Sequence, residues 1–143
     1  MRKSELMTLW NVETWAVEPY GVYFVSRRLG TNRLENEAQA FQKINISCTG
    51  YTGDDVLSLS IWEQLYVQLD KLDQLAQELI QQEIPQEESI VLTLTDIMLD
   101  KSGCYEAFTL GYDIGESPAG HLYVLVPFDE NFTAQQDVIY ETL

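Results

Sequence analysis

The sequence predicts an α+β fold, a mostly antiparallel sheet with one long amphipathic helix packed on one face. Apolar and polar residues alternate in several separate segments. A single stretch from Ile61 to Leu79 changes to helical spacing. Turn-forming clusters such as "LGTNR", "DKSG" and "GESPAG" break the chain at intervals that suit hairpins.

Taken in order, the first half begins with two strands, around Thr8 to Val17 and Gly21 to Arg28, rich in Trp10, Trp15, Tyr23 and Phe24. In "AQAFQKINISCTG", Ile44, Ile46 and Cys48 alternate with Asn45, Ser47 and Thr49, as in a strand with one wet face. "GYTGDD" interrupts that pattern with glycines and aspartates. In "SIWEQLYVQLDKLDQLAQELIQQE", Ile61, Leu65, Leu69, Leu72, Ala76 and Leu79 share one helical face. Ser60 and Glu63 spell an S-x-x-E capping box at its start, and Pro85 is expected to stop the helix near Glu83. A coiled coil is the competing use of these leucines. The opposite face offers Gln and acid with only Lys71 positive, so charge pairs that select a partner helix are missing, and packing on the chain's own sheet is expected.

After "IPQEES" the period returns to two. "IVLTLTDIML" reads as a strand that ends in Asp100 and Gly103, at the outer positions of a type I turn. Phe108, Leu110, Tyr112 and Ile114 then share one face, with Ala107, Thr109, Gly111 and Asp113 on the other. "GESPAG" forms a six-residue loop, and Leu122, Val124, Val126 and Phe128 align in the strand after it. Pro127 marks an edge or a strand end, and "VIYET" supplies a short last strand.

The 143 residues fit a single domain, 1–143, with one core. The net charge of −15 is unevenly spread, because residues 1–33 hold five bases and three acids, whereas the remainder holds three lysines and 20 acids. Such a surface repels phosphate backbones and anionic lipid, so no nucleic-acid or membrane partner is expected, and a basic protein partner is attracted. The plainer use of the acid is solvation. No run approaches a membrane span and the start lacks a signal peptide's apolar stretch, which points to the cytoplasm. Cys48 and Cys104 form no CxxC pair and read as small buried hydrophobes, with a disulfide between them left open.

The densest stretch is "FTLGYDIGESPAGHLYVLVPFDENF". Pairing across its loop gathers Asp113, Glu116 and His121 at one hairpin tip, while Asp129 and Glu130 sit at the far end of the second strand, roughly 25 Å from His121. One histidine with no recurring ligand spacing gives no metal site, and no cofactor motif is present in the chain. Neither a G-x-S-x-G nor an H-E-x-x-H sequence occurs, so no catalytic residue is assigned and an enzyme is not expected. The N-terminal aromatics could stack on sugars, but strand-borne aromatics more often fill a core. Arg27 and Arg28 fit a wet strand end better than an anion site.

The run of leucine-spaced helix, "LTLTDIMLDKSGCYEAFTLGYDIG" and "HLYVLVPFDENF" resembles small bacterial α+β domains of unknown function. In these a strand ending in an Asp/Gly turn leads to F-x-L-x-Y-x-I-G and then to an apolar strand closing in F-D-E-N. The resemblance covers residues 60–142. Some such domains are taken to be immunity proteins that neutralise toxins, so it implies an inhibitory role without carrying over a binding residue. The leading expectation is an acidic cytoplasmic protein-interaction domain that binds a basic protein partner, an immunity-type inhibitor being the form the resemblance implies, with Asp113, Glu116, Asp129 and Glu130 as contacts on exposed turns. The alternatives are a small-ligand domain or enzyme using His121 and nearby carboxylates, and a structural homo-oligomer.

Overall fold

The computed structural model describes residues 1–29, 41–83, 92–103, 107–117, 120–135 and 138–142. The elements are α1 (Lys3–Leu9), β1 (Val12–Glu18), β2 (Gly21–Leu29), β3 (Phe41–Thr49), α2 (Gly53–Ser58), α3 (Trp62–Glu83), β4 (Thr93–Asp100), β5 (Phe108–Ser117), β6 (Gly120–Phe128) and β7 (Ile139–Thr142). The strands form one sheet in sequential order, β1 to β7. Every pairing is antiparallel except β3 with β4, which run parallel. A parallel neighbour needs a crossover, and here the connection includes α2 and α3. The fold class read from the sequence is thus the observed one, and α3 lies against the sheet.

The N terminus differs from expectation. Residues 3–9 form a helix, not the beginning of a strand, and the side chain of Glu5 turns back to accept the Arg2 N–H at 3.1 Å. "KSELMTL" holds no run of β-branched residues, and burying Leu6 gives the short helix its hold on the core. "TGDD" is likewise a helix start. Thr52 Oγ1 accepts the Asp55 N–H and the Asp55 carboxylate accepts the Thr52 N–H, both at 3.1 Å, which satisfies two donors reciprocally. The expected box at Ser60 is displaced, since the Leu65 N–H bonds to the Ile61 carbonyl at 2.9 Å and Ile61 therefore holds the cap position.

The buried stripe of α3 is Trp62, Leu65, Leu69, Leu72, Asp73, Ala76 and Ile80, with Ile61 and Leu79 only half-buried at its margin. Leucine spacing gave the face to within one residue, but the bulk of Trp62 turned it. Trp62 Nε1 donates to the Val56 carbonyl at 2.8 Å, and its ring meets Trp10 edge-on at 6.1 Å and Phe24 at 5.6 Å. Trp15 stacks on Phe24 at 5.3 Å. The N-terminal tryptophans thus fill the core side of the sheet. Trp10 Nε1 is buried there with no acceptor among the described residues, and its ring lies edge-on to Tyr66 at 5.1 Å.

Ile44, Ile46 and Cys48 of β3 face the helices as their alternation predicts, and so do Ile97, Leu99, Phe108, Leu110, Tyr112, Val124, Val126 and Phe128. The expected turn after β4 is present, with the Gly103 N–H on the Asp100 carbonyl at 3.0 Å and Gly103 at φ 82. The next turn is shorter than expected, because Ser117 pairs with Gly120 and the ladder consumes most of "GESPAG". Pro127 is near the end of β6, beyond Leu125, where the β7 ladder stops. Cys48 is a free thiol, and Cys104 lies outside the described residues. Among the described residues no helix is long and apolar enough to cross a membrane.

Candidate functional site

Two bulges decide what the sheet presents on the face away from the helices. In β4 the register shifts between Leu94 and Asp96, so Leu94 and Ile97 both point to the core and Asp96 is turned outward opposite Gly111. In β5 it shifts between Asp113 and Gly115, so Asp113 opposes Tyr123 on the outer face and the backbone of Glu116 is in register with His121. Gly115, at φ 100, adopts a backbone that a side chain would strain. Its N–H bonds to Asp113 Oδ1 at 2.9 Å and fixes that carboxylate.

His121 Nε2 then meets the same Asp113 oxygen at 2.5 Å. Both side chains stay about one-third exposed, at 34% for Asp113 and 32% for His121. The imidazole also lies 5.1 Å from the Tyr123 ring. Asp96 and Asp113 are diagonal neighbours on this face, roughly 7 Å apart between Cβ atoms in ordinary sheet geometry. Thr95, the bulged residue, donates to Asp96 Oδ2 at 2.7 Å, and Asn45 adds a side-chain hydrogen bond. Gly111 makes room beside Asp96, since a methyl there would stand 3.0 Å from Asp96 Cβ, 3.2 Å from Met98 Cε and 3.3 Å from Leu125 Cδ2.

The two carboxyls are displaced in opposite directions. The hydrogen bond from His121 holds Asp113 below the usual carboxylate range, against a smaller opposing effect of burial and with help from the Gly115 N–H. Burial pushes Asp96 up, the charge of Asp113 adds to this, and the hydrogen bonds of Thr95 and Asn45 oppose it. The negative charge of Asp113 thus works against ionisation of Asp96.

Of the residues expected to gather at the hairpin tip, Asp113 and His121 do so, and the backbone of Glu116 is in register with His121. Asp129 and Glu130 occupy the turn at the other end of β6. There Asp129 Oδ1 accepts the N–H groups of Asn131 at 2.9 Å and Thr133 at 3.0 Å, and Glu130 is exposed. Asp96 is the site residue that sequence reasoning missed. Its signal was the break in alternation between Leu92/Leu94 and Ile97/Leu99, the mark of an extra residue. Cys48 faces the core, away from His121, and burial pushes its thiol up to about 12, so it is a poor nucleophile. No group of three metal-ligating side chains occurs among the described residues.

Comparison with family models, curated proteins and solved structures finds no match for this chain.

Proposed function

We propose that this protein is an acidic interaction domain that binds a basic protein partner, in the manner of an immunity protein that blocks a toxin. The observation that carries this is the Asp96 and Asp113 pair on the face away from α3, where, among the described residues, hydrogen bonds from Asn45 and Thr95 and no cationic side chain meet Asp96. A Lys or Arg side chain entering between the two carboxyls would lower the repulsion that now raises Asp96. The surplus of 23 acids over eight bases would steer such a partner toward the chain, and Tyr123 beside the pair offers a ring for its aliphatic stem or its charge. Glu116 and Glu130 are assigned to steering. Asp129 keeps its backbone bonds and contributes charge alone.

Capture from a cell lysate at low salt, with intact protein as bait, tests the proposal. The expected result is a basic protein that is released by salt and is held weakly by Asp96→Asn and Asp113→Asn. Retention of only acidic or neutral proteins, unaffected by either substitution, overturns it. The contact between Asp113 and His121 favours a second reading, a small-ligand or catalytic site using the imidazole. His121→Ala would then abolish ligand binding in a folded protein while leaving partner capture intact.

A further inference from the structure

The β1–β2 turn carries an apolar feature that the carboxylate pair does not explain. Tyr20 is 80% exposed and Val17 is 61% exposed, side by side at the tip of this hairpin. Together with Pro19, Gly50, Tyr51 and Thr52 they border a cavity of about 420 Å3. The cavity has fixed walls. The Gly50 N–H bonds to the Tyr20 carbonyl at 2.8 Å, and Gly21 runs so close to β3 that a Cβ on it would lie 2.5 Å from the Cys48 carbonyl oxygen. Tyr51 is half-buried against the core cluster. A tyrosine on a rigid base loses little conformational freedom on binding, which is why such residues anchor interfaces.

The charges around the cavity have one dominant sign. Glu18 lines it, Asp55 and Asp100 act on Tyr51 in its wall, and Lys101, a base close by, is held by Asp55 at 3.4 Å. The Tyr51 hydroxyl registers this field, being raised by burial first and then by Cys48, Asp100 and Asp55. A second copy of the chain is a poor occupant, because it brings a net charge of −15 and the same acids to the same place.

From the exposed Tyr20 and Val17, the fixed cavity beside them and its acidic rim, we infer that this cleft receives an apolar side chain presented within a basic segment of a protein partner. The inference rests on the proposed function and adds to it the anchor that electrostatics alone does not supply. Asp100, which pairs with Thr49 at the cavity, is four residues from Asp96, or about 13 Å along β4. One partner with an ordinary footprint of about 800 Å2 would reach both places.

Two peptides of equal charge, Lys-Arg-Leu-Trp-Arg-Lys and Lys-Arg-Ser-Ser-Arg-Lys, titrated at low salt into the 15N-labelled full chain, test this. The first is expected to shift the amides of Gly21, Gly50 and Tyr51 and to bind about tenfold more tightly than the second. Tyr20→Ser, at an exposed turn where folding is not at stake, is expected to remove that difference and leave binding of the second peptide unchanged. Equal binding of the two peptides, with shifts confined to the face of Asp96 and Asp113, overturns the cleft and leaves the basic-partner proposal standing. Equal occupancy of the cleft by an uncharged Gly-Ser-Leu-Trp-Ser-Gly peptide overturns the basic character assigned here. Self-association in sedimentation that Tyr20→Ser abolishes would show a second copy as the occupant and overturn the inference as well.

Discussion

Tyr112 of β5 donates its hydroxyl hydrogen to the carboxylate of Asp73 on α3, across the buried boundary between helix and sheet. Asp73 is 8% exposed, and Gln77 Nε2 supplies a further hydrogen bond at 3.0 Å. Burial, reinforced by the negative charge of Asp73, raises the phenol well above its ordinary value, so the proton stays on Tyr112 and the bond keeps its direction.

Tyr112→Phe should therefore lower the unfolding free energy by about 1 to 3 kcal/mol, because it leaves a buried carboxylate short of a donor. Adding Asp73→Leu should recover most of that loss by extending the apolar stripe of α3. Urea unfolding of the two single variants and the double variant measures the coupling directly. Additive losses in the double variant would contradict the assigned bond.

The opposed displacements of Asp113 and Asp96 give the acid range a definite sign. For Asp113 the folded value lies below the ordinary 3.8, so its contribution is present above that pH and is lost as pH falls through the folded value. For Asp96 the folded value lies above 3.8, so its contribution is full below that pH and is lost as pH rises through the folded value. Asp113→Asn should flatten the acid limb of the stability profile, and Asp96→Asn should raise stability relative to wild type above that limb. Chemical unfolding across pH 2 to 8, roughly the range that spans carboxylates and histidine, distinguishes the two.

Asp129 and Glu130 are adjacent acids with different work. Asp129→Ala should cost about 1 kcal/mol, since it removes the acceptor for two backbone N–H groups in the turn. Glu130→Ala should change stability by less than about 0.5 kcal/mol. Thermal melts of both variants check this, and a lower association rate for Glu130→Ala at low salt would confirm its assignment to steering.

Cys48 should be nearly inert in the native protein. With its thiol raised to about 12, its thiolate fraction near pH 8 is roughly three orders of magnitude below that of an ordinary cysteine. In a Cys104→Ser background, iodoacetamide should label Cys48 only on unfolding. Rapid labelling of the folded chain would contradict its burial.

Where one face of an element is buried and the other wet, the sequence carried the fold plainly. Ile44, Ile46 and Cys48 fixed the inward side of β3, and the leucines of α3 fixed its orientation to within one residue. Single-residue insertions hid the rest, since the bulge at Thr95 turned Asp96 outward and the one at Ile114 put Asp113 within reach of His121. A strand that alternates perfectly announces its faces, but a bulge resets the alternation and its functional effect appears only once the partner strand is known. The T-x-x-D box at Thr52 was legible in principle and was masked by the neighbouring glycines. The parallel pairing of β3 with β4 has no local signal, because it joins residues about fifty positions apart.

That parallel seam divides the sheet into two meanders, β1 to β3 and β4 to β7, each assembled from neighbouring strands. Hairpins close within microseconds, whereas joining Asn45 to Asp96 requires closure of a long loop, so the seam is expected to form late in folding. A chain cut between Glu83 and Leu92 would separate the meanders while sparing every antiparallel ladder. The two halves are then candidates for a split reporter that regains its fold only when they are brought together.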